Sequence, residues 1–220
     1  MVWLDYTGPS NRGAQLVEFQ TVLESLSAGD VARISVDASL PSEKLFDQLP
    51  KALKQDRLAA IYELLRREFG AFHPEDFVLG SQNDMPSYLA QCLERVCIRA
   101  VASFSVETVK IIPLLLTHYS DSSPMFTATV MLQDGSGQPA APSGFAYLAS
   151  NWSDLENLEV PELTSREKSV LDGHVSREVA DVATELGFSI ASRPEQQERQ
   201  WSSFRRFHRF LPQFQHVELK

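Results

Sequence analysis

The sequence has little of the patterns that identify several common classes of protein. It contains only two cysteines, Cys92 and Cys97, among 220 residues, and no apolar run approaches the roughly 18 residues that a membrane-spanning helix needs. Its first residues lack the basic and apolar regions of a secretory signal. We therefore expect a cytoplasmic protein with no membrane association, whose cysteines are reduced and at least partly buried.

Motifs that specify a chemistry are also missing. The five histidines are scattered along the chain, without His-x-x-x-His spacing, and there is no Cys-x-x-Cys pair. The segment Gly135-Ser136-Gly137 lacks the surroundings of a nucleophile elbow or a phosphate loop. The sequence therefore predicts no metal and no cofactor.

The charge is unevenly distributed. The net charge of -9 and the pI near 5.0 argue against nucleic-acid or anionic-membrane binding through the whole surface. Residues 193–220 nevertheless contain six Lys or Arg against three Asp or Glu, so this segment is basic and residues 1–192 are strongly acidic. We predict an acidic globular domain over 1–192, followed by a basic, aromatic C-terminal helix over 193–220 that packs on this domain or on a partner.

The densest strand-like sequence lies between residues 104 and 150. Runs at 109–117, 125–132 and 145–149 predict strands, although Pro113 leaves open an edge, a bulge or a broken helix in the first run. Apolar residues at helical spacing predict helices that cover this sheet. The predicted fold class is α+β, with a small, mainly antiparallel sheet centred on residues 107–150.

Further elements complete this prediction. Short strands are expected at 2–6 and 31–37, and helices at 13–27, 50–69 and 86–103. Thr164 and Glu167 have the spacing of a capping box, which predicts the start of another helix.

The C-terminal helix carries the most distinctive candidate for a binding surface. It begins at Pro194, and its aromatic residues recur every three positions among arginines. The rings can pack on the domain itself, or they can form a hot spot for a protein partner or for self-association, because Trp and Arg are enriched in hot spots. The residues assigned to partner binding are Arg199, Trp201, Phe204, Arg205, Arg206, Phe207, Arg209 and Phe210.

A second binding motif lies just before this helix. Residues 163–171 and 175–189 resemble the first two helices of the LuxR-type helix-turn-helix. After Ser189 the chain continues as Ile-Ala-Ser-Arg-Pro194, where that family has its recognition helix. Nucleic-acid binding through this degenerate motif at 164–189, or through the basic C-terminal helix, is therefore an alternative.

Histidines and carboxylates provide a candidate catalytic site. His118 and Asp121 follow a predicted strand, whereas His73 and Glu75 lie in a long predicted loop over 72–86. If the two segments meet, these side chains can form an acid–base pair or a metal site. An enzyme with this dispersed site is another alternative.

Taken together, the missing catalytic motifs, the acidic domain and the aromatic, basic helix favour one interpretation. We predict a non-enzymatic interaction or assembly component of a larger complex that uses its C-terminal helix.

Overall fold

The computed structural model describes residues 1–51, 55–104, 109–120, 123–135, 148–159, 164–178, 181–182, 184, 187, 189–191 and 193–207. The chain divides into two compact units, residues 1–156 and 157–220. The boundary after residue 192, which rests on charge, stays a prediction. Within the described ranges, no helix is long and apolar enough to cross a membrane.

The first unit contains both helices and strands. Its elements are β1 (Val2–Asp5), α1 (Arg12–Glu24), β2 (Val31–Asp37), α2 (Glu43–Phe46), α3 (Arg57–Phe69), α4 (Met85–Ser103), β3 (Val109–Ser120), β4 (Pro124–Asp134) and β5 (Leu155–Leu158), with β5 lying across the boundary between the units. Short 3-10 turns occur at Gly70–Phe72 and Gln82–Asp84.

The strands form one five-stranded sheet in the order β1-β2-β4-β3-β5. β1 pairs with β2 in parallel, while β4 is antiparallel to both β2 and β3. The predicted α+β class is confirmed, but the sheet is mixed rather than mainly antiparallel. The reason is that α1 forms a crossover between β1 and β2, and a crossover helix is the connection that brings consecutive strands into parallel pairing.

Pro113 lies in a strand and not in a broken helix. The pairing of β3 with β4 shifts register between Pro113 and Leu115, as in a β-bulge. A bulge is where a strand tolerates proline, which cannot donate a hydrogen bond to the ladder. The predicted strand at 109–117 is thus confirmed and continues to Ser120, whereas most of the predicted strand at 145–149 lies outside the described residues.

Helices α1 and α4 contribute much of the hydrophobic core of this unit. Leu16, Phe19 and Leu23 recur along one face of α1 and are fully buried, because this spacing places them on a single stripe of the helix. They pack with buried residues of α4 and of the sheet, including Leu93, Ile34 and Phe126. Cys92 and Cys97 of α4 are free and buried, which confirms their predicted state.

The second unit has a small core of its own. Two of its helices are α5 (Ser165–Asp172), which begins with the predicted capping box of Thr164 and Glu167, and α6 (Pro194–Phe207). Trp201 and Phe204 of α6 stack with their ring centroids 5.7 Å apart and are buried. The Nε1 atom of Trp201 donates to the carbonyl oxygen of Arg177 at 3.1 Å, so this ring is fixed inside the unit.

Gly13 permits a close contact between two helices. A Cβ atom at this position in the first turn of α1 would lie 2.0 Å from the carbonyl oxygen of Glu68 in α3. That oxygen belongs to a helical backbone and cannot move aside as a flexible side chain could. No residue with a side chain therefore fits at position 13 without separating α1 from α3.

We expect Gly13→Ala to lower the free energy of unfolding by about 2 kcal/mol or more, because overpacking typically costs about 1–3 kcal/mol. Chemical denaturation of both proteins measures the difference. Gly8→Ala is the matched control, since a Cβ atom at Gly8 meets nothing within 4 Å. Equal stability of the two variants would contradict the close contact.

Candidate functional site

Three strands end at the same edge of the sheet. Because β4 is antiparallel to both β2 and β3, strands β1, β2 and β3 run in one direction. Asp5, Asp37 and Ser120 end these strands, and Pro124, which begins β4, accepts a hydrogen bond from the Ala38 amide at 2.7 Å. Ligands of α/β sheets commonly bind outside the carboxyl ends of the strands. This carboxyl-end edge is the candidate functional site.

The two aspartates at the edge have different surroundings. Asp37 is buried, and its Oδ1 atom accepts a hydrogen bond from the Ser39 amide at 2.7 Å, which shapes the chain leaving β2. Asp5, by contrast, is exposed at the end of the edge strand β1. Asp5 is therefore the carboxylate of this pair that can reach a ligand.

The loop from Tyr6 to Asn11 connects Asp5 to α1. The Tyr6 amide donates to the carbonyl oxygen of Ser35 at 3.0 Å, which continues the pairing of β1 with β2. Thr7, Ser10 and Asn11 are exposed, and Asn11 has a left-handed backbone with φ of 62°. The loop thus presents hydroxyl and amide side chains beside Asp5.

A buried arginine holds the far end of this loop. Arg12 is 1% exposed, and its Nε and Nη2 atoms donate to the two carboxylate oxygens of Glu68 at 2.8 and 2.7 Å. Its Nη1 atom donates to the carbonyl oxygens of Asp37 and Ser39 at 3.2 and 2.6 Å. One side chain therefore connects α1, the end of β2 and α3, and none of its nitrogens is left for a ligand.

A second buried polar pair lies next to this connection. His73 is 5% exposed, and its Nδ1 atom is 2.9 Å from the hydroxyl oxygen of Tyr88 in α4. The ring of Tyr88 contacts Phe69, which lies under the guanidinium of Arg12. Among the described residues the Nε2 atom of His73 has no hydrogen-bond partner. Burial, followed by the charges of Arg66 and Arg95, lowers the pKa of His73.

Three of the four predicted catalytic residues are described by the structure, and they lie in different surroundings. His118 is half-buried in β3, two residues before the carboxyl-end edge, and Asp121 lies outside the described residues. His73 is buried beside Tyr88, whereas Glu75 is exposed and accepts a hydrogen bond from the Tyr62 hydroxyl through its carbonyl oxygen at 2.7 Å. The dispersed site built on these residues stays a prediction.

The predicted partner-binding residues that are described belong to α6. Trp201 and Phe204 lie in the core of the second unit. Arg199 forms an ion pair with Glu159 at 3.2 Å, and Arg205 lies 3.9 Å from Glu178. The guanidinium of Arg206 lies over the ring of Phe207. Arg209 and Phe210 fall outside the described residues.

Reasoning from motifs missed the carboxyl-end edge. Asp5, Arg12 and Glu68 belong to no named motif, and Arg12 finds Glu68 across 56 positions of sequence. The available signal was the succession of short strand, helix and short strand over residues 2–37, which is compatible with a parallel pair. In the ranges that the structure describes, no cluster of three His, Cys, Asp or Glu residues could hold a metal ion.

Comparison with known proteins assigns a different kind of function from the one predicted. Residues 1–219 match the model of a family described as "Putative O-methyltransferase". No curated protein and no solved structure gives a significant match.

The match overturns the prediction of a non-enzymatic interaction or assembly component, because the described family activity is enzymatic. That prediction rested on the lack of catalytic motifs, the acidic domain and the aromatic, basic C-terminal helix. The lack of catalytic motifs was misleading, since side chains can form a catalytic site without matching any named sequence pattern.

We expect Arg12→Met to lower the free energy of unfolding by about 3 kcal/mol, because it leaves Glu68 and two carbonyl oxygens without their partner. Urea denaturation measures the loss. Arg67→Met is the control, since the Arg67 side chain is 51% exposed and pairs with Glu63 at the surface, where such pairs contribute about 0–1 kcal/mol. Similar losses in both variants would show that Arg12 has no special structural role.

We also expect His73 to make the stability depend on pH. Its pKa is lowered in the folded state, so below about pH 6.5 the unfolded chain binds a proton that the folded protein excludes. The contribution of neutral His73 is present above this pH and is lost as the pH falls through the folded-state pKa. Denaturation between pH 7.5 and 5 should give a shallower dependence for His73→Gln, and parallel curves would refute this role.

Proposed function

The chain belongs to this O-methyltransferase family, and we propose from that membership that it is an enzyme transferring a methyl group to an oxygen atom of an acceptor molecule. The match over residues 1–219 is the observation that carries the proposal. The free, buried cysteines support a cytoplasmic location for the reaction.

We place the reaction at the carboxyl-end edge of the sheet. Support comes from the alignment of three strand ends and from the exposed polar loop between β1 and α1. A position at strand ends suits transfer chemistry, because a rigid sheet holds the reacting groups in a fixed orientation. Arg12 acts there as a positioning residue, since its hydrogen bonds hold the start of α1 against the end of β2.

The polar side chains of the loop between β1 and α1 are suited to binding a methyl donor. A donor such as S-adenosylmethionine supplies an electrophilic methyl group on a positively charged sulfur. Its hydroxyl, ammonium and carboxylate groups need accessible hydrogen-bond partners. Thr7, Ser10 and Asn11 provide hydroxyl and amide groups of this kind and would hold the donor.

Asp5 would receive the proton of the acceptor. An acceptor hydroxyl becomes a better nucleophile as its proton moves to a nearby base, and the exposed carboxylate of Asp5 can accept that proton. Asp37 is less suited, since it is buried and bound to the Ser39 amide. The proton would leave the acceptor oxygen as the bond from that oxygen to the methyl carbon forms and the carbon–sulfur bond of the donor breaks, which leaves the donor as a neutral thioether.

The dispersed site is a second candidate for this proton transfer. His118 lies close to the carboxyl-end edge, which favours it over His73 and Glu75 as a base. Replacing Asp5 and His118 in turn distinguishes the two candidate bases.

The test is transfer of a labelled methyl group from S-adenosylmethionine to a panel of phenols, alcohols and carboxylic acids. We expect Asp5→Asn to lower kcat/KM about 10²-fold, as for loss of a general base, while binding of S-adenosylhomocysteine in calorimetry is retained. Asp76→Asn, at another exposed aspartate, is the control and should leave the rate unchanged.

Each outcome bears on a separate part of the proposal. Methyl transfer that survives in Asp5→Asn but is lost in His118→Gln would move the base to His118. Amines and thiols are added to the panel, and labelling of these acceptors alone would refute O-methylation. Failure of the purified protein to bind the donor or to label any acceptor would overturn the proposed function.

A further inference from the structure

The outer surface of α4 carries two adjoining clefts. The first has a volume of about 330 Å³ and is lined mainly by Cys97, Ile98, Val101, Val109, Ile111 and Trp152. The second has a volume of about 520 Å³ and lies on the side of α4 that faces Ala71, with Gln91, Arg95 and Arg99 in its wall. Glu94 and Ile98 border both clefts, so the two clefts are adjacent.

The first cleft suits an apolar group. Ile98 is 62% exposed although it is a large hydrophobic residue, and Trp152 packs against the core while forming part of the wall. A cavity of about 150 Å³ lined by aliphatic and aromatic side chains is large enough for benzene. The first cleft can therefore take one or two aromatic rings, and its volume lies within the usual range for small-molecule sites.

The charges around the clefts favour an anion. Arg95, Arg99 and Lys110 line them with Glu94 as the only acidic residue among their lining side chains, which gives a local excess of positive charge on a protein of net charge -9. The guanidinium of Arg99 is positioned 5.7 Å from the ring centroid of Phe72. Arginine suits this role, because its planar group matches the geometry of a carboxylate.

We propose that the two clefts form one binding site for a small amphipathic anion. Its aromatic rings occupy the first cleft beside Ile98 and Trp152, and its carboxylate faces Arg95 and Arg99 in the second. The site borders Val109 at the start of β3, roughly 35 Å along the strand from Ser120 at the carboxyl-end edge. It is therefore separate from the proposed methyl-transfer site and does not depend on that proposal.

The test compares two ligands of the same shape and different charge. Ligand-observed NMR titrations with 2-naphthoate and neutral 2-naphthamide, at low ionic strength, should give saturable binding that is at least about fivefold tighter for the carboxylate. Ile98→Ser should weaken both ligands about fivefold. The double variant Arg95→Gln, Arg99→Gln should remove the preference for naphthoate and leave naphthamide binding in place.

Matched controls identify the site. Val17→Ser replaces an apolar residue of α1 that is 55% exposed, and the double variant Lys44→Gln, Lys51→Gln removes two exposed cations elsewhere in the first unit. Both should bind the two ligands like the wild type. The proposal is overturned if neither ligand saturates, if the two bind equally to the wild type, or if the controls weaken binding as much as the cleft variants.

Discussion

The arrangement of the first unit depends on the ion pair between the buried Arg12 and the partly buried Glu68. The planar guanidinium meets the carboxylate in a two-pronged contact and still reaches the carbonyl oxygens of Asp37 and Ser39. A lysine could not satisfy these partners together, since its ammonium is a single point on a flexible chain. The energetic balance of a buried pair is small when both partners are present and strongly unfavourable when one is missing. The main effect of Arg12 is therefore to determine which segments come into contact, and its net contribution to the free energy of unfolding is smaller.

The contacts of Arg12 fix the position of the loop at the carboxyl-end edge. The loop over residues 6–11 is anchored at one end by the Tyr6 amide in the ladder with β2, and at the other by Arg12. Gly13 brings α1 into backbone contact with α3 directly after this anchor. The exposed side chains between these points are thus carried on a short loop with two fixed ends. Such a frame suits a transfer reaction, which depends on the orientation of its reactants.

The sequence predicted the elements better than their arrangement. Helical spacing located α1 and α4, and alternation located β4, because burial of one face leaves a periodic pattern within a single segment. The parallel pairing of β1 with β2 leaves no such local pattern. The contact of Arg12 with Glu68 is equally invisible, since a lone arginine at a helix start is ordinarily solvent-exposed. The candidate site was missed for the same reason. The aromatic and basic pattern of the C-terminal helix predicted a binding surface there instead, but its Trp201 and Phe204 are core residues.

Helix α4 joins the constrained edge to the positively charged clefts. Its inner face carries Tyr88, which meets both Phe69 beneath Arg12 and the buried His73. Its outer face carries Arg95, whose charge contributes to the lowered pKa of that histidine. Burial against the inner face of α4 and the charge of Arg95 on its outer face therefore both favour the neutral form of His73. Because a protonated imidazole would be costly in these surroundings, the packing between α3 and α4 requires a neutral ring. One of the two arginines that we assign to anion binding, Arg95, thus also acts on the interior next to the Arg12 connection.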